Sequence, residues 1–238
     1  MVTIELQSTG HYEVFKSDIS IGCISVSSNP YHSQNYYLDL ALKQYDSENA
    51  KELFRLLRLK LLRPLQVMLY SWELEKSAFL TAGGFQRRRQ CYEMEVTTTN
   101  LRAPVKDSVQ IIEIERNDST YQSCCELLYS SYIKTHEAIN PLTADEKSFY
   151  CELPNTVILQ QENGKILHFA FVEENEIAYI GTTRQSDFHG FAQTLLSRML
   201  AKYNSVSFEC DDSDPVAMAL RAFFNPQNLD SYDTYILD

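Results

Sequence analysis

The sequence of 238 residues is poor in glycine and proline, with seven of each. This scarcity excludes collagen-like, linker-like and disordered chains, which are rich in one or both residues. Basic residues are also scarce, since 21 Lys and Arg stand against 32 Asp and Glu, for a formal net charge of −11. A chain this acidic has no overall attraction for nucleic acid or for an anionic membrane.

The six cysteines form no Cys-x-x-Cys pair, and no histidine lies at zinc-ligand spacing from them. The sequence therefore predicts no metal site. No apolar run approaches the roughly 18 residues that span a bilayer, and the N-terminus shows no secretory signal. These absences favour a cytoplasmic protein with reduced, mostly buried thiols.

The charge changes near the middle of the chain. Residues 1–104 carry 12 basic and 11 acidic residues, whereas residues 105–238 carry 9 and 21. The stretch from Thr97 to Ser108 is polar, contains Pro104 and lies at this step, so we interpret it as a linker. The sequence thus predicts two domains, 1–104 and 105–238. Acidic solvent-exposed faces confined to the second half would explain the charge step equally well.

The second half alternates strand and helix patterns after an opening strand and two helices. Its clearest signal is Asn163-Gly164, because Asn-Gly suits the positive backbone angles of a tight hairpin turn. Thr143 is the predicted N-cap of the second helix, with Glu146 completing a capping box. The predicted elements are strand 109–114, helices 121–138 and 143–151, hairpin strands 156–161 and 166–173, strand 176–181, helix 190–203, strand 206–210, helix 215–223 and strand 231–237.

The first half repeats part of this order. Its pattern is a hairpin, a strand, a helix, a strand, a helix and a strand, spread over residues 11–96. Compared with the second half, it lacks the leading strand and the two helices. We therefore interpret the first half as a truncated copy of the second, related at the level of elements rather than residues.

Three stretches carry a resemblance to a known family. Residues 187–192 read Asp-Phe-His-Gly-Phe-Ala before an apolar helix, residues 207–215 read as a strand and a helix cap, and residues 82–85 read Ala-Gly-Gly-Phe before a closing strand. In this order they resemble the GNAT superfamily of acyl-CoA-dependent N-acyltransferases, over nearly the whole chain. The resemblance implies an α+β fold: two GNAT-like domains in tandem, each a mixed, mainly antiparallel sheet flanked by helices, with the first copy truncated and degenerate.

The first of these stretches is similar to the family's pyrophosphate-binding signature, Arg/Gln-x-x-Gly-x-Gly/Ala, which implies acetyl-CoA as cosubstrate. A pyrophosphate needs several backbone N–H donors, which a helix start provides, and Gly190 and Ala192 allow close approach. Asp187 departs from the family's Arg or Gln and would repel a phosphate; Arg184, or protonated His189, could supply the missing cation. The cofactor-binding candidates are Gly181, Arg184, His189, Gly190, Phe191 and Ala192.

Acyl transfer to an amine needs a base for the amine and an acid for the leaving thiolate. The resemblance places the base at Glu209. The position of the family's tyrosine acid is occupied by Leu220-Arg221, so Tyr179 becomes the catalytic candidate in its place, with Tyr232 as the alternative. The implied activity is acetylation of a primary amine on a small molecule or a peptide N-terminus. The acidic second half favours a cationic acceptor.

A catalytically inactive tandem protein, serving as a CoA-binding or protein-interaction module, is the alternative. The missing tyrosine and Asp187 favour it, whereas Gly190 and Glu209 favour an enzyme. The loop of the first half that matches the phosphate signature, residues 43–48, has no glycine and two acidic residues, so we expect no CoA site there. The sequence predicts no nucleic-acid, membrane or metal partner and leaves a homodimer open.

We predict that residues 1–104 do not fold alone. The first half lacks two helices that should cover one face of its sheet, so its apolar face needs the second half. Expressed by itself, the fragment should aggregate or remain partly unfolded in circular dichroism and thermal melts. A soluble fragment that melts cooperatively would contradict this prediction.

Overall fold

The computed structural model describes residues 1–225 and 230–238. The chain divides into two compact units. Unit 1 contains residues 1–90, 136–144 and 230–238, and unit 2 contains residues 91–135 and 145–229. Each unit therefore includes residues from both sides of the predicted boundary at 104. The two units are therefore not the same as the two predicted tandem copies, 1–104 and 105–238. The boundaries of those copies stay a prediction.

Unit 1 is built on a mixed, mainly antiparallel sheet with the strand order β1-β2-β3-β4-β5-β12. The strands are β1 (Val2–Ser8), β2 (His11–Lys16), β3 (Ile19–Ser27), β4 (Tyr36–Leu42), β5 (Leu65–Tyr70) and β12 (Tyr232–Leu237). The parallel neighbours β4 and β5 pair only at Tyr36–Leu65 and Tyr37–Gln66. The expectation that the first half lacks a leading strand is wrong, because β1 pairs with β2 and buries Val2.

Two helices, α1 (Ser47–Leu61) and α2 (Leu74–Ala82), pack on the core of unit 1. Asp46 is the N-cap of α1, since its carboxylate accepts the N–H of Glu48. α2 ends at Gly83 and Gly84, and Gly84 has a φ of 98°, an angle that residues other than glycine rarely adopt. The core contains Leu53, Phe54, Leu57, Phe79 and Leu80.

The last strand of the chain completes unit 1. β12 pairs with β5 without a register break, from Tyr232–Tyr70 to Leu237–Leu65. Tyr235 is buried in the unit 1 core, and its hydroxyl lies 2.8 Å from the hydroxyl of Ser77 on α2. The packing of unit 1 therefore depends on residues far along the sequence from its other strands.

Unit 2 has the strand order β6-β11-β10-β9-β8-β7, and it contains β6 from Cys91 onward. The strands are β6 (Gln86–Val96), β7 (Ile112–Glu115), β8 (Thr156–Glu162), β9 (Lys165–Glu173), β10 (Glu176–Thr182) and β11 (Val206–Asp211). The predicted turn between β8 and β9 is confirmed, because Asn163 and Gly164 have φ angles of 52° and 75°. β10 and β11 are parallel, and the other neighbours are antiparallel.

Four helices flank this sheet: α3 (Tyr121–His136), α4 (Glu146–Cys151), α5 (Phe188–Lys202) and α6 (Pro215–Arg221). α5 and α6 pack on one face, around Phe191, Leu195 and Phe208. α3 and α4 contact the opposite face, where Tyr121 meets Phe171. These features confirm the predicted fold class of mixed sheets flanked by helices. Among the described residues, no helix combines the length and apolar character that a membrane crossing requires.

The predicted cap of α4 is wrong. Asp145 caps the helix by accepting the N–H of Ser148. Thr143 instead belongs to unit 1, where its N–H donates to the carbonyl of Tyr31 over 2.7 Å and its hydroxyl accepts the N–H of Ser33. Thr143 is thus committed to a partner distant in sequence, which a local capping rule does not anticipate.

We predict that Tyr235→Ala destabilises unit 1 by about 3–5 kcal/mol, the usual cost of deleting a buried aromatic ring. Tyr235→Phe is the matched control, because it keeps the ring and loses only the hydroxyl contact with Ser77, worth about 1 kcal/mol. Urea unfolding followed by circular dichroism measures both. Equal stability of the two variants would show that β12 does not anchor the core of unit 1.

Candidate functional site

The candidate site begins where two neighbouring strands of unit 2 stop pairing. β10 and β11 pair only at Glu176–Ser207 and Ile177–Phe208. The register of β10 against β9 also shifts between Ile177 and Tyr179, as at a β-bulge. Past these positions the ladder between β10 and β11 ends and the strands diverge, which leaves backbone N–H and C=O groups available to a ligand.

Glu209 lies on β11 beyond the point of divergence. Val206, Phe208 and Cys210 are buried on the α5 side, so Glu209 points to the opposite face of the sheet. Its carboxylate Oε2 lies 3.8 Å from Sγ of Cys91 on β6. The side chain keeps contact with solvent, but partial burial of the carboxylate raises the pKa of Glu209, and the charges of Asp211 and Glu93 add to this effect. A raised pKa makes Glu209 a stronger base than an ordinary carboxylate.

Carboxylates form a row on this face of unit 2. Glu93 is paired directly opposite Glu209, and Glu95 is opposite Ser207. Side chains of directly paired residues point to the same side of a sheet. The acidic row consists of Glu93, Glu95, Glu176, Glu209 and Asp211. Its negative charge favours a cationic ligand on this face.

Tyr179 lies on β10 and points to the same face as Glu209. Its ring centroid is 6.4 Å from that of Tyr132 on α3 and 6.3 Å from that of Phe149 on α4. The aromatic cluster consists of Tyr129, Tyr132, Phe149, Tyr150 and Tyr179. Burial, with the charges of Glu146 and Glu126, raises the pKa of Tyr150 to about 12, so its phenol is neutral at pH 7. Sequence reasoning missed this cluster, although its aromatic residues recur on α3 and α4.

The start of α5 differs from a simple phosphate-binding loop. A 3₁₀ turn (Gln185–Asp187) leads directly into the helix, and the N–H groups of Asp187 and Phe188 bond to the carbonyls of Arg184 and Gln185. The guanidinium of Arg184 lies 2.7 Å from the carboxylate of Asp187 and 3.4 Å from that of Glu162. Arg184 is thus shared between two carboxylates, which weakens its case as the missing cation.

The other predicted cofactor-binding residues differ in what they offer a ligand. Phe191 and Ala192 are fully buried in the core. A Cβ atom on Gly181 would lie 2.3 Å from the ring of Phe169, so the glycine serves packing. A Cβ atom on Gly190 would lie 3.1 Å from Cγ1 of Val109. The remaining residue, His189, is exposed and stacks on Phe223 with ring centroids 4.7 Å apart.

A fully buried histidine lies behind this region. His168, on β9, is 2.7 Å from the hydroxyl of Thr182 through Nδ1, and its ring packs on Phe188 and Phe191. Its Nε2 has no hydrogen-bond partner among the described residues. Burial lowers the pKa of His168, although the nearby Asp187 opposes the shift. The imidazole is therefore neutral at pH 7, and it supports the loop that connects β10 to α5.

Comparison with solved structures identifies this architecture. A GCN5-related N-acetyltransferase from Sphaerobacter thermophilus matches with a TM-score of 0.56 at 9% identity, over 96% of this chain and 80% of that one. The chain has the GNAT fold. A tandem GNAT protein from the clavulanic acid biosynthesis pathway matches with a TM-score of 0.47 at 12% identity, over 99% of this chain and 83% of that one. No family model matches the sequence, and neither does any curated protein.

Within this GNAT fold, two features can act on a ligand: the divergence of β10 and β11 leaves backbone groups unpaired, and Glu209 places a carboxylate beside the opening. The roles of Glu209 and Tyr179, and of the six cofactor-binding candidates, stay predictions, as does the truncation of the first copy. The described residues contain no group of three or more His, Cys, Asp or Glu side chains that could hold a metal ion.

We predict that unit 2 loses stability in mild acid because of His168. Its pKa is lowered from the ordinary 6.5, so its contribution to stability is complete above about pH 6.5 and is lost as the pH falls toward its folded pKa. His168→Phe should reduce the fall of Tm between pH 7 and pH 5. Burial also lowers the pKa of His32 in unit 1, so some pH dependence should remain.

The control is His11→Gln on β2, an exposed position, which should keep the wild-type pH dependence. Differential scanning fluorimetry across the same buffers measures all three proteins. An unchanged slope in His168→Phe would mean that His168 becomes protonated without cost in the folded state.

Proposed function

We propose that this protein is an N-acetyltransferase that transfers the acetyl group of acetyl-CoA to the primary amine of a small cationic acceptor. The observation that carries the proposal is the divergence of β10 from β11, with Glu209 on the strand beside the opening. The GNAT fold supports the reaction class, and the six free cysteines support a reducing, cytoplasmic location.

The cleft between β10 and β11 offers the donor more hydrogen-bonding groups than the start of α5 does. Acetyl-CoA carries an extended arm with two amide groups, which can bond to the backbone groups that β10 leaves unpaired beyond Tyr179. At α5, Gly190 and His189 are the candidates for the phosphates, while Asp187 repels them. Acetyl-CoA supplies the activated acyl group, and residues of this chain supply proton transfer and positioning.

The proposed reaction requires three proton transfers. Glu209 takes a proton from the acceptor ammonium, which frees the nitrogen lone pair for attack on the acetyl carbonyl carbon. The new C–N bond forms as the C–S bond breaks, and Tyr179 is the candidate that protonates the departing thiolate; the second proton that the nitrogen loses as it becomes an amide returns to the phenolate left on Tyr179. The raised pKa of Glu209 supports its role as base, because proton transfer is most efficient when the pKa lies near the working pH.

The acidic row and the aromatic cluster together support a cationic acceptor. The acidic row attracts a positive charge, and the partly exposed rings of Tyr132 and Tyr179 offer cation–π contacts. The acidic row and the rings therefore serve to bind the acceptor as a cation, and a base such as Glu209 is needed to remove its proton. A small polyamine-like or amino-terminal substrate has this chemistry.

The inactive alternative is supported by a different observation, the pairing of Arg184 with Asp187 at the helix start. In that case the protein would bind CoA weakly or without turnover. Unit 1 does not supply a replacement donor site by our reading. Its own parallel strands diverge as well, but the carboxylate of Asp46 already accepts the N–H of Glu48 at the start of α1 and pairs with Lys16 at 2.7 Å, so the donors that a phosphate would need there are occupied.

We predict that Glu209→Gln lowers kcat/KM by about 10²-fold or more, the usual scale for a positioned base. The substitution keeps the size and removes the basicity, so the affinity for CoA should be nearly unchanged. In the wild type, kcat/KM should rise with pH through the raised pKa of Glu209, since only the deprotonated carboxylate acts. This limb of the profile should be absent in the variant.

Glu95→Gln is the matched control, because Glu95 lies in the same acidic row and bonds to Ser205 rather than to Cys91. A coupled thiol-release assay against a panel of diamines and amino-terminal peptides measures turnover. If both variants lose the same small fraction of activity, the row acts only through its charge, and Glu209 is not the base.

A further inference from the structure

The linker between the two halves is bound tightly to α5 and α6. At one end Leu101 forms a bridge with Phe224, and the N–H of Arg102 donates to the carbonyl of Phe223 over 2.9 Å. Nε of Arg102 donates to the carbonyl of Phe224 over 2.8 Å. Backbone and side chain of Arg102 are thus both held at the end of α6.

The other end of the linker is fixed on α5. The N–H groups of Ser108 and Val109 donate to the hydroxyl of Thr194, over 3.0 and 3.2 Å. The hydroxyl of Ser108 donates to the carbonyl of Gly190 over 3.0 Å. The segment from Arg102 to Ser108 therefore crosses from α6 to the first turns of α5 as an ordered strap.

A cavity of about 200 Å³ lies beneath this strap. Its apolar walls come from Pro104 and Val105 of the linker and from Ala219, Ala222 and Phe223 beyond it. Its polar lining consists of Arg102, His189 and Gln193. These side chains include no carboxylate, although the chain as a whole is strongly acidic.

Arg102 differs from two other arginines near α5 because its guanidinium is not paired with a carboxylate of any described residue. Arg184 pairs with Asp187 and Glu162, and Arg198 pairs with Asp107. Among the described residues, Arg102 has no carboxylate partner and contacts only carbonyl oxygens through hydrogen bonds. Its terminal N–H groups can therefore hold an anion in the bidentate manner that suits a phosphate.

We infer that Arg102, with His189, binds a phosphate of the acyl donor, so that the linker forms one wall of the donor site. The inference rests on the proposed function. It explains how the start of α5 tolerates Asp187: the cation comes from the linker across the cavity, and Arg184 neutralises the aspartate. The positive end of the α5 dipole, which His189 adjoins, adds to the attraction.

The test is isothermal titration calorimetry of the full-length protein with coenzyme A. Arg102→Gln should weaken binding at least tenfold. Arg102→Lys should weaken it less, because lysine keeps the positive charge but lacks the two parallel N–H donors of the guanidinium. Arg198→Gln is the matched control, because Arg198 also lies on α5 but is paired with Asp107, and this change should alter affinity less than threefold. Thermal melts of each variant check the fold, since Gln at 102 retains the backbone bond to Phe223.

Salt dependence gives a second measurement that a purely structural role would not change. Raising the salt concentration should weaken CoA binding to the wild type more steeply than binding to Arg102→Gln, because the variant has lost a phosphate contact. Unchanged affinity in Arg102→Gln, or a larger loss in Arg198→Gln, would overturn the inference and leave the proposed function intact.

The outcomes for the wild type separate the two claims. Binding of acetyl-CoA that depends on Arg102, without acetyl transfer to any amine, would support the inference and overturn the proposed enzyme. No binding of CoA to the wild type at millimolar concentration would overturn both.

Discussion

The early end of the parallel ladder between β10 and β11 is the constraint on which the rest of unit 2 depends. Two adjacent parallel strands normally satisfy each other's backbone groups along their length, but these two pair at only two positions. The core under α5 and α6 holds the strands apart, with Phe208 from β11 and Ile180 from β10 both packed against it. A cleft thus arises from packing on one face, and Glu209 becomes available on the other.

Much of the fold follows from local signals in the sequence. The turn at Asn163-Gly164 appears as predicted. The cap at Asp214 and the end of α2 at its two glycines likewise involve only neighbours in sequence. β1 and the role of Thr143 were missed, because each depends on a partner strand or loop that sequence periodicity does not reveal. The membership of β12 in unit 1 was not predicted for the same reason, because β12 pairs with β5 across a long separation in sequence.

The site was only partly predictable. Glu209 could be found because alternation along a strand decides which face each residue occupies. The aromatic cluster was missed because its members come from α3, α4 and β10, which only tertiary packing brings together. Sequence spacing favoured Arg184, three residues before Asp187, as the cation for a phosphate, but its guanidinium is bound to Asp187 itself. Arg102, which has no carboxylate partner among the described residues, lies in a segment that the sequence indicated only as a linker.

The use of the C-terminal strand in unit 1 has a consequence for how the protein is made. A ribosome releases the N-terminal part of a chain first, and such parts usually fold while synthesis continues. Here β5 would emerge early but wait for β12, which is synthesised much later, to cover its edge. During that interval the nascent chain exposes an unpaired strand beside an apolar core, so chaperone capture during translation would protect this protein more than one whose sheets close in chain order.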